Sequence, residues 1–299
     1  MIPVYIILVN YNGYLDTIEC VKSLNNIKNV NYRIIIVDNA STDNSVDMLR
    51  KNDLCQDCII IESEKNLGFS GGNNLGIQLA LDQGAKYILL LNNDTIVDPN
   101  FLHYMLSTFE KDNEIGVVGC KINYYPETNK IWYGGGYINW FKFIGEHIGI
   151  KEEDNGKYDK EKEIDFMTGC CMLIKREVFE TVGLLTEEYF MYFEDVDFCV
   201  NVRNYGFKIW YNPKAVIYHK VGYSSGGEES PFFIKWTTKN RIKFMRKYKS
   251  KVSKFSYFRS NLFLYSTRII KLIKYVLAGD INKAKALISG IMEGLKEHI

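Results

Sequence analysis

The sequence predicts an α/β fold, with a mostly parallel, Rossmann-like sheet flanked by helices and a basic α-helical C-terminal appendage. Three observations predict it. The chain of 299 residues is 46% hydrophobic, which is enough to bury a sizeable core. Apolar runs of strand length alternate with helix-like stretches. Residues 231–299 hold 16 basic and three acidic side chains, whereas residues 1–230 hold 21 and 33. We therefore expect one domain over residues 1–230 and a basic helical region over residues 231–299.

The apolar runs predict strands that are covered on both faces, because a half-exposed strand would alternate apolar and polar residues. They are residues 4–9, 33–37, 58–61 and 87–91. The predicted helices between them are residues 15–24, 43–50 and 74–81. This order predicts parallel strands joined by right-handed crossovers.

The cysteines and the N-terminal residues of the chain indicate the cellular compartment in which the protein works. Cys55 and Cys58 form a CxxC pair, but no second pair or nearby histidine completes a tetrahedral zinc site, so we interpret both as ordinary thiols. Seven cysteines that include the adjacent Cys170 and Cys171 favour a reducing, cytosolic compartment. The apolar start is too short for a membrane span and lacks the basic segment of a signal peptide, so it predicts a strand.

Polar side chains follow three of the predicted strands at the point where each strand ends. These clusters are residues 10–13, 38–43 and 92–94. Because ligands of open parallel sheets bind outside the carboxyl ends of the strands, we expect the clusters to converge on one crevice. Such residues also form turns and helix caps. Capping is the favoured interpretation for residues 41–43, and a functional role is favoured for Asp38 and Asp94.

A glycine-rich stretch, residues 66–76, follows the third predicted strand and leads into a helix. Glycines allow positive φ angles and close backbone approach, and the helix N-terminus offers N–H groups to an anion. The stretch matches neither GxGxxG nor GxxxxGK[ST], so it predicts neither a dinucleotide fingerprint nor a P-loop.

Six segments in order resemble the family 2 glycosyltransferases, particularly their rhamnosyltransferase-like members. They are VNYNG, VDNASTDNS, NLGFSGGNN, LLNNDTIVDP, FMTGCCMLIKREVFETVG and YFMYFEDVDFCVNVRNYGFKIWYNPKAVIYH, within residues 3–222. The resemblance implies a GT-A type fold, a catalytic domain over residues 1–230, and inverting transfer from a nucleoside-diphosphate sugar such as dTDP-rhamnose or a UDP-sugar. It further implies a saccharide or lipid-linked acceptor in cell-surface glycan synthesis, and a divalent cation, Mn²⁺ or Mg²⁺.

The resemblance identifies residues 92–94 as the family's DxD motif. Its first position holds Asn instead of Asp, so we assign the metal to Asp94 and a ribose or phosphate contact to Asn92. Several family members have a metal-coordinating His after a later strand, which corresponds to His219. An imidazole suits Mn²⁺ better than Mg²⁺. A purely structural His219 is the alternative.

The acceptor hydroxyl needs a general base. Glu194 and Asp195 match the family's ED motif at the start of a helix, and we assign the base to Asp195. A helix N-terminus stabilises the ionised carboxylate. The alternative, a capping and dipole cluster of acids, is preferred for Asp197 and Glu188.

The resemblance implies two further sets of contacts. The donor nucleotide would contact Asn10, Asp38, Asn66, Gly68, Asn73, Asn92 and Asn93, with Asp38 accepting a hydrogen bond from the pyrimidine ring. The donor or acceptor sugar would contact Thr168, Gly169, Glu194 and Trp132. Trp132 lies in residues 123–164, a segment that differs among such enzymes and is expected to be an acceptor-side insertion or a mobile lid.

The basic C-terminal region has two interpretations. Arg268, Lys271 and Lys274 interrupt the apolar run of residues 261–277, so it does not predict a spanning helix. A basic amphipathic helix on an anionic bilayer is favoured, which predicts a cytoplasmic protein held peripherally at the inner face of the cell membrane. The alternative is a helical subdomain that packs against the core or a second subunit. Nucleic acid is not an expected partner, because no binding motif accompanies the charge.

Two other function classes remain open. A sugar-nucleotide nucleotidyltransferase shares this layered architecture but would carry a basic, glycine-rich loop after the first strand, and residues 9–13 contain no basic side chain. A non-catalytic module that binds nucleotide sugars or glycans would not need Asp195 as a base.

Overall fold

The computed structural model describes residues 3–221 and 229–296. The chain divides into two compact units. The first consists of Met1–Tyr137, His147–Phe190 and Glu194–Val221, and the second of Ile138–Glu146, Met191–Phe193 and Gly222–Ile299. Two short segments from the first 230 residues therefore belong with the C-terminal helices.

The first four strands form the parallel half of the main sheet. They are β1 (Val4–Asn10), β2 (Tyr32–Asp38), β3 (Ile59–Glu62) and β4 (Tyr87–Leu91), in the spatial order β3–β2–β1–β4 with every neighbouring pair parallel. The crossovers contain α1 (Tyr14–Leu24), α2 (Ser45–Lys51) and α3 (Gly68–Asp82). The predicted strand–helix order is confirmed, and β1 is covered on both faces because Ile6, Ile7 and Leu8 are fully buried.

Helix α3 begins at Gly68 rather than at residue 74. Most of the glycine-rich stretch is therefore helical, and the predicted start of this helix at residue 74 was wrong. The reason is packing against β1. A Cβ added to Gly72 would lie 2.9 Å from Val9 Cγ1, and one added to Gly76 would lie 2.7 Å from Ile7 Cγ2. Glycine lets the helix lie this close to the strand, which offsets its low helix propensity.

The later strands make the main sheet mixed, except β8 and β9, which form a separate two-stranded sheet. The later strands are β5 (Thr95–Val97), β6 (Ile115–Tyr124), β7 (Ile131–Tyr133), β8 (Gly136–Asn139), β9 (Ile144–His147), β10 (Lys162–Ile164), β11 (Cys171–Lys175) and β12 (Lys208–His219). Strand β11 lies between β4 and β6 and is antiparallel to both, whereas β6 and β12 are parallel. The mostly parallel pairing expected from the sequence thus describes β3–β2–β1–β4, and antiparallel β11 separates that half from the β6–β12 pair.

The other helices are α4 (Phe101–Thr108), α5 (Arg176–Val182), α6 (Glu194–Asn204), α7 (Pro231–Lys247), α8 (Lys254–Leu277) and α9 (Ile281–Lys296). The last three build the second unit, whose core includes Ile234, Tyr275 and Leu287. Helix α9 approaches α7 closely at Gly290, where an added Cβ would lie 2.6 Å from the Lys235 carbonyl oxygen.

Helix α8 has one buried face and one exposed apolar face. Leu264 and Tyr275 are buried against the rest of the second unit. The exposed apolar side chains on α8 are Phe255, Phe258, Leu262, Ile269, Ile270, Ile273, Val276 and Leu277. Among the helices that the structure describes, none combines the length and the apolar content needed to cross a bilayer.

Candidate active site

Asn10 and Asp38 join the ends of β1 and β2. Asn10 Nδ2 donates to Asp38 Oδ2 at 2.8 Å, and both residues are buried. The Ser41 N–H donates to Asp38 Oδ1 at 2.9 Å, and the Ser41 hydroxyl donates to Oδ2 at 2.7 Å. Both Asp38 oxygens thus have partners in the protein, yet an ionised carboxylate with about four lone-pair sites can accept more hydrogen bonds.

The capping interpretation of residues 41–43 holds for one of them. Asp43 Oδ1 accepts from the Ser45 N–H at the start of α2. Ser41 instead holds Asp38, and the Thr42 N–H donates to Asn12 Oδ1 at 2.7 Å. Capping was therefore wrong for Ser41 and Thr42, because Ser41 binds Asp38 at the end of β2 and Thr42 binds Asn12 just after β1.

Thr17 links the ends of β1 and β4. Its hydroxyl donates to Asn10 Oδ1 at 2.9 Å and accepts from Asn93 Nδ2 at 2.9 Å. Gly13 lies beside this link, since a Cβ added there would be 3.4 Å from Asn93 Nδ2. The polar clusters that follow β1, β2 and β4 therefore meet at one edge of the sheet.

The turn before α3 is organised by Asn39, which follows Asp38 in the sequence. The Asn39 side chain donates to the Gly68 carbonyl and accepts from the Leu67 N–H, each at 2.9 Å. Asn66 Oδ1 accepts from the Gly68 N–H at 2.9 Å. Gly68 has φ +69°, a conformation that favours glycine. The turn is thus tied to the end of β2, where Asp38 lies.

Asn73 lies one turn further along α3. Its Nδ2 donates to the Phe69 carbonyl at 2.9 Å, and the side chain is buried. Its amide therefore supports the first turn of the helix, in addition to any contact with a nucleotide.

Asp94 and His219 form a buried pair. Strand β5 pairs antiparallel with β12, with Thr95 opposite His219. As a result, His219 Nε2 lies 3.1 Å from Asp94 Oδ1, and the two side chains are 8% and 6% exposed. Asn92 Nδ2 lies 3.5 Å from the same imidazole nitrogen. The Lys220 N–H donates to the Asp94 carbonyl at 3.0 Å, which fixes the Asp94 backbone.

The Asp94–His219 pair fits a divalent cation. Carboxylate oxygen and imidazole nitrogen are both ligands of Mn²⁺. Two such atoms 3.1 Å apart can occupy adjacent positions around one ion, given metal–ligand bonds of about 2.0–2.2 Å. Within the described residues no cluster of three or more His, Cys, Asp and Glu side chains is present that could hold a metal alone. A cation at this pair would therefore take its other ligands from a diphosphate and water.

Trp132 forms an aromatic wall beside this pair. Its ring packs edge-on against two imidazoles, with centroids 4.5 Å from His219 and 4.6 Å from His147. His147 Nδ1 lies 3.2 Å from the Trp132 carbonyl oxygen. Burial lowers the pKa of His147 to about 4, so this imidazole is neutral at physiological pH. Trp132 therefore restrains the His219 ring from one side.

The charged run at residues 151–163 is attached to the sheet. The Lys121 ammonium in β6, whose side chain is 6% exposed, donates to both Asp154 carboxylate oxygens at 2.9 Å and also pairs with Asp159. Strand β10, at the end of the run, pairs with β12. These attachments favour an insertion over a mobile lid.

Asp195 is the second residue of α6. Its Oδ2 accepts from the Gly169 N–H at 3.0 Å and its Oδ1 from the Val196 N–H at 2.8 Å. Burial raises the pKa of Asp195, although these backbone N–H groups oppose the rise. Burial also raises the pKa of Glu194 well above its usual range, and the neighbouring Asp195 charge adds to the effect. The helix N-terminus expected to favour ionisation of Asp195 is thus outweighed by desolvation.

The segment that contains Gly169 and Cys170 connects the Asp195 side of the site with the end of β4. Burial raises the pKa of the Cys170 thiol well above its usual range, and the Asp94 and Asp195 carboxylates add to the rise. The backbone of the same segment contacts both sides, because the Cys170 carbonyl accepts from the Asn92 N–H and Gly169 donates to Asp195. Thr168, whose hydroxyl accepts from the Cys170 N–H at 3.4 Å, is also buried here.

Asp197 supports the loop that precedes Asp195. Its carboxylate accepts from the Tyr189 hydroxyl at 3.2 Å and from the Thr186 hydroxyl at 3.3 Å. This structural position agrees with the interpretation of Asp197 as an acid without a catalytic role.

The sequence motifs did not assign a role in the site to four residues that the structure places there, namely Thr17, Asn39, Ser41 and Lys220. Lys220 pairs with Asp16 at 2.7 Å and with Glu19, which ties the end of β12 to α1. Asn39 and Ser41 lie inside the quoted motif VDNASTDNS, but such residues are common in turns, so only contacts with Asp38 and Gly68 identify them.

Sequence comparison finds similar proteins of glycan synthesis. The model described as Glycosyl transferase family 2 matches residues 5–183. The low-salt glycan biosynthesis hexosyltransferase Agl10 of Haloferax volcanii is 30% identical over 212 residues, 66% of this chain and 61% of the relative. The dTDP-rhamnosyl transferase RfbF of Shigella flexneri is 24% identical over 224 residues, 73% of this chain and 69% of the relative.

The chain spans part of each of these relatives. It covers 48% of the poly-beta-1,6-N-acetyl-D-glucosamine synthase of Staphylococcus aureus, to which it is 26% identical over 215 residues, 71% of this chain.

Two solved structures share the fold. A crystal structure of GalNAc-T7 with UDP, GalNAc and Mn²⁺ has a TM-score of 0.62 at 16% identity, covering 82% of this chain and 48% of the other. The mannosyltransferase PcManGT from Pyrobaculum calidifontis, in complex with GDP-Man and Mn²⁺, has a TM-score of 0.61 at 13% identity, covering 99% and 88%.

Proposed function

The chain belongs to the family 2 glycosyltransferases and has a GT-A fold, and from this premise we propose that it transfers a sugar with inversion from a nucleoside-diphosphate sugar to an acceptor hydroxyl. The donor would be dTDP-rhamnose or a UDP-sugar, and the acceptor a saccharide or lipid-linked sugar of a cell-surface glycan. One observation carries the proposal: the Gly169–Cys170 segment contacts Asp195 through the Gly169 N–H and Asn92 through the Cys170 carbonyl, and Asn92 is two residues before Asp94, which pairs with His219.

The nucleotide end of the donor would bind at the ends of β1 and β2. Asp38 is held by Asn10 and Ser41 in one orientation, and its spare lone pairs suit the N–H of a pyrimidine ring. Asn93 is oriented by Thr17, which leaves its carbonyl oxygen for a ribose hydroxyl. Asn66 and Gly68 lie at the N-terminal end of α3, where the positive end of the helix dipole would favour the negative charge of the diphosphate.

Asp94 and His219 would hold Mn²⁺ or Mg²⁺ together with the diphosphate oxygens, with Asn92 beside them. When bound, the cation supplies Lewis-acid stabilisation of the charge on the departing nucleoside diphosphate. His219 favours Mn²⁺ as the ion, because imidazole is a better ligand for it than for Mg²⁺. Trp132 would keep the His219 ring oriented and form part of the wall of the sugar site.

Asp195 would act as the general base. The proton of the acceptor hydroxyl passes to the Asp195 carboxylate, the acceptor oxygen forms a bond to the anomeric carbon, and the bond from that carbon to the diphosphate oxygen breaks with its electron pair. The contacts with Gly169 and Val196 hold the carboxylate in place. Its raised pKa makes it a stronger base than an exposed aspartate.

Glu194 would have a different role from its neighbour. Because its pKa is raised well above the usual range, we infer that the carboxyl group is protonated when Asp195 is ionised. A neutral carboxyl group can donate a hydrogen bond to a sugar hydroxyl. Sharing one negative charge between the two acids also avoids placing two charges in a buried site.

We further propose that the protein contacts an anionic membrane surface through α8. The helix contains five basic and no acidic residues, and its apolar outer face is exposed. Each basic side chain near an anionic surface contributes on the order of 1 kcal/mol to binding. This would hold the enzyme peripherally at the cytoplasmic side of the cell membrane, where lipid-linked acceptors occur.

Thermal-shift titration with UDP, dTDP and GDP, each with and without Mn²⁺, tests the glycosyltransferase proposal. A ligand that binds only the folded state raises the unfolding temperature. One nucleoside diphosphate should stabilise the wild type in a metal-dependent way, and Asp94→Ala should lose that dependence. Stabilisation by none of the three, or equal stabilisation without metal, would contradict the proposed donor site.

A further inference from the structure

The second unit contains a buried guanidinium group without a counter-charge. Arg241 on α7 is only 7% exposed. Its Nε donates to the Lys142 carbonyl at 2.7 Å, but its Nη2 is buried and has no hydrogen-bond partner among the described residues. Arg268 on α8 likewise has a buried Nε without a partner in the described part of the chain. Leaving such donors unsatisfied in the interior destabilises a fold, so an acceptor is expected there.

Arg241, Arg268 and Lys271 also lie close enough to repel one another. Burial lowers the pKa of Arg241 to about 10, and the Arg268 charge contributes to the shift. Burial lowers the pKa of Lys271, and both arginines add to that effect, while Glu229 opposes it. Arg241 is buried, Arg268 is half-buried and Lys271 is exposed. Two guanidinium groups held near each other with little access to water are energetically costly unless an anion neutralises them.

The carboxylates of the described second unit pair with other lysines. Glu293 pairs with Lys235 at 2.7 Å and lies 3.7 Å from Lys239, and Asp280 pairs with Lys283 at 3.0 Å. None of the ion pairs in the described residues includes Arg241 or Arg268. The anion that would neutralise the two guanidinium groups is therefore expected to come from a ligand.

We propose that Arg241 and Arg268 form a binding site for a phosphate or diphosphate group, with Lys271 as a supporting cation. A guanidinium group offers a planar fork of N–H donors that matches the oxygens of a phosphate. The Lys142 carbonyl fixes one edge of the Arg241 fork, and the Phe263 ring lies 6.0 Å from its central carbon. Arg241 is thus oriented in advance, with Nη2 available to the ligand.

Two kinds of molecule carry this chemistry. One is a lipid-linked phosphate, such as the diphosphate of a prenyl-linked acceptor. The other is a soluble phosphate. The exposed side chains of Ile269, Ile270 and Ile273, near Arg268 in the sequence of α8, favour the lipid source because they would contact a hydrocarbon chain. This site is independent of the proposed donor site, since neither Asp94 nor His219 takes part.

The first test is calorimetric titration of the full-length protein with inorganic pyrophosphate in EDTA, which removes any contribution from a metal-dependent donor site. The wild type should bind. Arg241→Met and Arg268→Met should each weaken binding by about 10- to 100-fold, as expected for the loss of charge-assisted hydrogen bonds. Lys249→Gln removes one exposed positive charge from the same unit and should leave binding unchanged.

Arg241→Lys is the second variant. Lysine keeps the positive charge but lacks the planar fork of N–H donors, so this variant should also weaken pyrophosphate binding. It replaces Arg241→Met as the test if the Met variant does not fold. Metal-dependent nucleotide binding should persist in every Arg variant. If an Arg variant loses only its metal-dependent nucleotide binding, the result counts against the proposed donor site and leaves the proposal of the phosphate site unchanged.

A parallel titration with a short prenyl diphosphate distinguishes the two sources. Binding tighter than that of pyrophosphate identifies a lipid-linked phosphate, and equal binding identifies a soluble one. The proposal is overturned if the wild type binds neither probe, if the Arg variants bind as the wild type does, or if Lys249→Gln weakens binding equally.

Discussion

His219 Nε2 lies 3.1 Å from the carboxylate of Asp94, although His219 ends β12 and Asp94 lies in the turn directly before β5. The antiparallel pairing of β5 with the end of β12 brings them together. Both side chains are buried, so the pair is held by the sheet and not by surface loops. A bound cation would therefore meet preorganised ligands, and the proposed donor site depends on this contact.

Replacement of His219 by Gln should weaken metal-dependent binding of the donor nucleotide by roughly 100-fold, because one of two protein ligands is lost. Binding without metal should change little. Titration calorimetry at several Mn²⁺ concentrations measures the effect, and His103→Gln, at an exposed histidine, is the matched control. Equal affinity of wild type and His219→Gln for the metal-bound nucleotide would exclude His219 as a ligand.

Trp132→Leu should lower the apparent affinity for Mn²⁺ by about 10- to 100-fold, as is typical when a residue that orients a metal ligand is changed. The ring contact with His219 would be lost, while Asp94 and His219 both remain. Activity measured against Mn²⁺ concentration tests this, and excess metal should restore most of the rate. A rate that falls without any change in the metal requirement would assign Trp132 to substrate binding alone.

Asp195→Asn should reduce kcat by about 10²- to 10⁴-fold, the usual contribution of a general base. The amide still fits the site beside Gly169, so nucleotide binding should stay close to that of the wild type. Steady-state transfer assays with thermal-shift titration separate the two effects. Glu110→Gln, at an exposed acid, should behave as the wild type. A retained kcat in Asp195→Asn would require a different base.

Transfer activity should be lost as the pH is lowered, with a midpoint above 3.8, the usual pKa of an aspartate, because burial raises the pKa of Asp195. The base works only when deprotonated, so activity is present above its pKa and is lost as pH falls through it. The profile of kcat/KM against pH gives the midpoint, and nucleotide binding at each pH controls for loss of the donor. Full activity at pH 4 would contradict the assignment.

Glu194→Gln should reduce the loss of folding stability that accompanies a rise in pH. The folded pKa of Glu194 is raised above its unfolded value, so the folded state binds more protons in the interval between them. Stability from this group is therefore present at low pH and is lost as pH rises through that interval. Unfolding temperature measured against pH should show a smaller decrease in Glu194→Gln. An identical decrease in both proteins would mean that Glu194 is not the group responsible.

The first four strands and the convergence of three polar clusters could be predicted, because continuous apolar runs and polar strand ends are local sequence features. Asn10, Asp38 and Asn93 are joined through Thr17 and Ser41 as this pattern implies. The family resemblance implied the fold type, which is confirmed, and it also directed attention to His219. The roles of the individual site residues remain predictions.

Other features depend on contacts distant in sequence. The start of α3 was misjudged because Gly72 and Gly76 were interpreted through backbone freedom, whereas their small size against β1 is what matters. The position of β11 between β4 and β6 is a pairing choice that its own residues do not encode. The pKa of Asp195 was misjudged in direction, because burial outweighs the helix N-terminus, and burial is a property of the packed fold.

The most direct measurement is the anomalous difference map of a crystal soaked with Mn²⁺ and the nucleoside diphosphate that stabilises the protein best. We predict one manganese peak within bonding distance of Asp94 Oδ1 and His219 Nε2 and in contact with the diphosphate. Asp195 should face the open side of the sugar site. An ordered diphosphate whose manganese ion lies away from Asp94 and His219 would contradict the proposed site.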